Sequence, residues 1–62
     1  MLTSTALIFY YMLNGGVASV EWATYPNLVQ CQKHISDEIV EFYEYYPTYV
    51  LVGEQCIQQP KK

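Results

Sequence analysis

The 62-residue chain has no arginine and only three lysines, Lys33, Lys61 and Lys62, against six acidic side chains, giving a formal charge of −3. Nucleic-acid backbones are held by clustered Lys and Arg, so direct binding of DNA or RNA is not expected. The seven tyrosines do not restore it, because base-stacking platforms work inside positively charged grooves. Long apolar stretches are also missing. The longest, Ala6 to Leu13, is eight residues and stops at Asn14-Gly15-Gly16, whereas a membrane-spanning helix needs about 20. A secretory leader opens with basic residues, and none precedes Ala6, although Val17-Ala18-Ser19 has the small residues of a cleavage site. Low-complexity runs and internal repeats are absent, which confines expected disorder to the Gln58 to Lys62 tail.

Length is the next shortage. A single domain over residues 1–62 buries about 60% of its unfolded surface and has little chain to spare for a deep pocket. The sequence shows one histidine and no converging acid, base and nucleophile, so no enzyme activity, catalytic residue or cofactor is expected. Cys31 and His34 form a C-x-x-H spacing, but a closed zinc site takes four ligands and only Cys56 offers a third. No metal site is expected, and His34, off the apolar stripe of its helix, reads as a solvated surface residue.

What is present is a pattern of strands around one helix. Ile8, Phe9, Tyr10 and Tyr11 favour extended structure, and Asn14-Gly15 is a strong hairpin signal, so a first strand is expected over about 5–13. The second, about 17–24, alternates Val20 and Trp22 with Ser19 and Glu21. Asn27 with Gln30 three residues on forms a capping box for a helix over about 28–46. Its apolar stripe is Leu28, Cys31, Ile35, Ile39, Phe42 and Tyr46, with Tyr43 at the edge, and Pro47 stops it. A last strand over about 48–58 places Val50, Val52 and Cys56 on one face and Tyr49, Leu51 and Ile57 on the other, with Gly53 marking a bulge that would disturb this parity. The fold class is therefore α+β: a ββαβ three-stranded sheet in the order 2-1-3 with one helix packed on one face. The first strand, apolar on both sides, takes the centre, and a right-handed crossover joins the second to the third.

Cys31 on the helix stripe and Cys56 on the last strand are placed to pair. A disulfide closing a loop of about 25 residues contributes on the order of 3 kcal/mol, a large share of the stability of so small a domain. The alternative is a pair of buried thiols acting as small hydrophobes, the state a cytosolic setting would favour.

One helix covers one face of a three-stranded sheet, and the other face must meet something else. With the helix over Val20, Trp22, Val50, Val52 and Cys56, the exposed apolar set is Phe9, Tyr11, Tyr49, Leu51 and Ile57, the expected interaction surface. A second candidate is the acidic helix face of Asp37, Glu38, Glu41 and Glu44. Glu41 and Glu44 oppose the helix dipole by a few tenths of a kcal/mol, a cost compatible with a basic partner.

Asn14-Gly15, Val20 to Trp22, Pro26 to Cys31, Tyr46-Pro47 and Cys56 together give a layout that resembles small accessory proteins of tailed bacteriophages. That resemblance implies a non-enzymatic virion subunit, part of an assembly, docking on a protein partner or on copies of itself. The same element order resembles podovirus inhibitors of host RNA polymerase, which would act in the host cytoplasm. Those inhibitors use arginines on the final strand, where this chain has none. A third reading is a secreted mini-domain after cleavage near Ser19.

Overall fold

The computed structural model describes residues 3–60. Four elements make up the chain in order: β1 (Thr3–Leu13), β2 (Gly16–Tyr25), α1 (Leu28–Tyr45) and β3 (Leu51–Pro60). The sheet order is β2-β1-β3, with both outer strands antiparallel to β1. The outer strands therefore run parallel to one another, and α1 crosses over β1 to connect them. No helix among the described residues is long and apolar enough to cross a membrane. Because both other strands bond to β1, cleavage near Ser19 would remove the middle of the sheet.

Local chemistry explains each boundary. Asn14 and Gly15 both have positive φ, 51° and 83°, the backbone of a two-residue hairpin whose twist matches its strands. A side chain on Gly15 would meet nothing within 4 Å, so glycine is suited there by conformation rather than by space. Asn27 is extended, and its Oδ1 accepts the Gln30 N–H at 2.9 Å, capping α1 as the sequence implies. At the other end Tyr46 leaves helical geometry (φ −132°, ψ 68°) ahead of Pro47, while its N–H still donates to the Phe42 carbonyl at 2.8 Å. Tyr49 N–H then donates to the Tyr46 carbonyl, so the chain spends residues 46–50 turning. This turn delays β3 to Leu51, three residues later than the apolar pattern suggests.

Two irregularities reset which side chains face the helix. In β2 the register shifts between the pairs Leu7↔Ala23 and Ile8↔Glu21, leaving Trp22 as the extra residue. In β3 it shifts between Tyr10↔Gly53 and Tyr11↔Leu51, leaving Val52 extra. Each extra residue reverses the parity of the strand beyond it. Val20, Trp22 and Tyr25 thereby all reach the helix side, and so do Leu51 and Cys56.

The core lies between α1 and the odd-numbered side of β1. Leu7, Phe9, Cys31 and Phe42 are its buried centre, with Ile35, Ile39 and Trp22 packed against it. Phe42 meets Phe9 edge-on at 5.4 Å and Trp22 at the same distance. Burying each phenylalanine contributes roughly 1.5–3 kcal/mol. Toward the other end, Cys31 and Cys56 stand at disulfide distance, 2.08 Å between sulfurs and 6.2 Å between Cα atoms, tying α1 to β3. The 18-residue helix is about 27 Å long and the 11-residue β1 about 36 Å, so the sheet outruns its cover. Leu13, on the helix side at the hairpin end, is accordingly exposed.

Candidate functional site

The face of the sheet turned away from α1 is organised around the even-numbered residues of β1. Ala6, Ile8, Tyr10 and Met12 form its centre line, since side chains alternate along a strand and the odd set enters the core. Across the ladder Met12 pairs with Val17, Tyr10 with Ser19 and Ile8 with Glu21 on β2. On β3, Ala6 pairs with Ile57, Ile8 with Gln55 and Tyr10 with Gly53. The Tyr10 hydroxyl donates to Gln55 Oε1 at 2.9 Å, holding the ring along the sheet. The result is an apolar line flanked by polar side chains, with its most exposed apolar groups, Met12 and Val17, at the hairpin end.

This arrangement corrects the interaction surface expected from the sequence. Phe9 is 0% exposed at the centre of the core, and Tyr11, Tyr49 and Leu51 pack against that core on the helix side. Of the expected set, Ile57 alone belongs to the open face, as the partner of Ala6. Both sides of β1 are apolar, so its composition does not say which side the helix takes. The bulge at Val52 then carries Leu51 to the same side as Cys56, while Val50 and Val52 are left exposed. The acidic face needs a smaller correction. Asp37, Glu41 and Glu44 are exposed, but Glu38 is half-buried and turned toward β2.

Where the helix ends, the core opens into a cleft of about 180 Å³ lined by Tyr11, Val20, Trp22, Phe42, Tyr46 and Tyr49. Five of these six residues are aromatic. Tyr49 is stacked between Tyr11 and Tyr46, at 5.3 and 5.4 Å with planes within 6° of parallel. Trp22 stands nearly perpendicular to Tyr46, 6.2 Å away. The connection from Tyr46 to Tyr49 builds this wall, because its turn brings both rings back over the end of β1.

No protein-family model, curated protein or solved structure matches this chain.

Behind the cleft lies a polar cluster that the helical periodicity only hinted at. Trp22 Nε1 donates to Glu38 Oε1 at 3.2 Å, and the Tyr25 hydroxyl donates to Glu38 Oε2. His34 is half-exposed and lies flat on the Tyr25 ring, 5.3 Å between centroids and 2° between planes, with Nδ1 4.0 Å from Asp37 Oδ2. It is therefore a packing residue as much as a solvated one. Among the described residues no group of three or more His, Cys, Asp and Glu side chains is placed to hold a metal ion. Cys31, the thiol of the C-x-x-H spacing, is engaged with Cys56 instead.

The Tyr25 phenol is pushed up to about 12 from 10.0, first by burial, then by its hydrogen bond to Glu38 and by the charges of Glu38, Glu41 and Asp37. All of these oppose a phenolate. Absorbance titration is expected to reveal one late-ionising tyrosine, and Glu38→Gln to return it toward 10.0. Between 10.0 and about 12 the unfolded chain releases a proton that the folded chain keeps. This contribution to stability is thus complete below 10.0 and declines as the pH rises through that window. A denaturation midpoint that falls more steeply there in the parent than in Glu38→Gln checks it.

Sequence reasoning did not assign the cleft or the open-face line. The cleft residues carry a visible signal, aromatics on β2, at the end of the helix and in the turn after it. Their convergence depends on the bulge at Trp22 and on the turn after Pro47.

Proposed function

We propose that this protein is a non-enzymatic interaction module, an accessory subunit of a tailed-phage particle, which docks a protein partner through the open face of its sheet. The observation that carries the reading is the one-sided cover of the sheet. α1 packs on one side only, and the other presents Ile8, Tyr10, Met12, Val17 and Ile57 across three strands. Apolar lines rimmed by polar groups are typical of protein contact surfaces. The sheet-and-helix scaffold, tied by Cys31 and Cys56, offers that surface with little ordering cost on binding.

Mass spectrometry of purified particles from an infected host, with the parent chain or with Met12→Asp or Val17→Asp, tests the reading. Both residues are well exposed, at 42% and 63%, so neither substitution is expected to disturb the fold. The parent chain is expected in the particles and the variants at least tenfold depleted. Parent chain absent from particles, or variants incorporated at parental levels, would overturn the proposal.

A second reading, inhibition of a host enzyme by the acidic helix face, draws on the exposure of Asp37, Glu41 and Glu44 along α1. In a pull-down from host lysate, Glu41→Lys with Glu44→Lys would abolish capture under this reading. Met12→Asp would leave it intact.

A further inference from the structure

We infer that the partner of the open sheet face is a second copy of this chain, the two sheets packing face to face about a twofold axis that runs along β1. The inference deepens the reading of that face as a contact surface, on which it rests, by naming what covers it.

Charge selects an equal. Among the described residues Glu21, opposite Ile8, is the single charged side chain on this face. Every other one lies on α1, except Glu54, which stands opposite Phe9 on the helix side. A strongly basic or acidic partner finds little here to pair with, whereas a copy brings the same nearly neutral surface. Packed in this way, the two acidic helices lie on the outside of the pair. Both sheets separate them, and the sheets alone stand about 10 Å apart against a screening length of roughly 8 Å. The net charge of −3 therefore opposes association through α1 far more than through this face.

The relief of the face is self-complementary. Met12 N–H donates to the Val50 carbonyl at 3.0 Å, so Val50 extends the ladder opposite Met12. Val17, Met12 and Val50 thus form a row across the three strands, exposed by 63%, 42% and 58%. The next two rows are Ser19, Tyr10 and Gly53, then Glu21, Ile8 and Gln55. A twofold axis along β1 lays β2 of each copy over β3 of the other, as an isologous contact requires. Val17 then meets Val50, and the Glu21 carboxylate meets the amide of Gln55. Tyr10 leans toward β3, its hydroxyl bonded to Gln55 and its ring 3.9 Å from where a Gly53 side chain would begin. The other copy offers the short Ser19 above that ring. The two Tyr10 rings lean to opposite sides, which leaves the axis to Ile8 and Met12. Facing sheets aligned within about 30° keep these three rows together near the crossing.

The area is sufficient for a reversible dimer. Eleven residues of β1 span about 36 Å and three strands about 14 Å, a footprint of roughly 500 Å² per copy. The pair buries about 1,000 Å², the lower end of specific interfaces.

Sedimentation of the full-length chain over a concentration series is expected to show monomer passing to dimer with Kd below about 1 mM. Met12→Asp and Val50→Asp, both at exposed positions, each bring two carboxylates into one neutral contact and are expected to weaken the dimer at least tenfold. In a mixture of isotope-labelled and unlabelled chains, filtered NOE spectra are expected to connect the Val17 and Val50 methyls. Within one copy those residues are two strands, about 10 Å, apart and do not meet. A chain still monomeric at about 1 mM would overturn the inference and assign the face to a different protein. A dimer undisturbed by both substitutions, or one without the Val17 to Val50 contact, would overturn it as well. The particle experiment is separate: a dimeric chain absent from particles would end that reading alone, and a monomeric chain present in them would end this one alone.

Discussion

Truncation of Phe42 to alanine is expected to cost about 4 kcal/mol and to leave much of the protein unfolded at 25 °C. Phe42 is 1% exposed, and its ring lies within 6.0 Å of Phe9, Tyr11, Trp22, Tyr43 and Tyr46. It is the side chain through which α1 reaches both the core and the cleft, so its removal empties a volume that no neighbour can fill without abandoning its own contacts. A domain of this length has a total stability of roughly 3–9 kcal/mol, and the loss is comparable to the whole. Urea denaturation monitored by the Trp22 fluorescence measures it. Phe42→Leu, which keeps most of the volume, is expected to lose about 1–2 kcal/mol and to retain a cooperative transition. A Phe42→Ala protein with a near-parental midpoint would mean that the aromatic cluster is not what holds the helix on the sheet.

Breaking the Cys31–Cys56 link is expected to be nearly as damaging, at about 3 kcal/mol for a sequence separation of 25 residues. In a domain of this size that corresponds to a fall in melting temperature of roughly 12–24 °C. The link joins the first turn of α1 to the strand that the 46–50 turn brings back beside β1, so it closes the same loop that the crossover must organise. Thermal melts with and without reductant, beside a Cys31→Ala, Cys56→Ala double variant, separate the loss of the bond from any effect of the reductant. The same melting temperature in all three would show that the cysteines serve only as small apolar residues, Cys31 in the core and Cys56 against it.

These two effects share an origin in small size. Among the described residues five hydrophobic ones are fully buried, Ala6, Leu7, Phe9, Cys31 and Phe42, and each therefore carries a large fraction of the stability. One of them, Ala6, belongs to the open face, where a methyl between the taller residues of the flanking strands is shielded by position rather than by a covering layer.

The architecture was legible because its signals are local. Asn14-Gly15 specifies a tight antiparallel turn, Asn27 with Gln30 starts the helix, and Pro47 ends it. The 3-4 spacing from Cys31 through Ile35 and Ile39 to Phe42 marks the side of α1 that packs. The doubly apolar β1 implied the central position in the order β2-β1-β3, because a strand apolar on both faces is best covered from both sides and paired at both edges. The choice between the two faces of β1 was not legible. Leu7, Phe9 and Tyr11 compete with Ala6, Ile8 and Tyr10 on nearly equal terms, and the decision depends on which set matches the Phe42, Trp22 and Ile39 surface in depth and shape.

The sequence by itself determined the elements, their order and the acidic balance, since turns, caps, periodicity and composition act through neighbours a few residues apart. Only the tertiary structure decided which apolar set lies inside, which line of residues remains open, and that Trp22, Phe42, Tyr46 and Tyr49 converge on one cleft. Those outcomes depend on one extra residue in each outer strand, Trp22 in β2 and Val52 in β3. A bulge costs little locally, yet it inverts the facing of every residue beyond it, so its position is set by the packing of the whole domain.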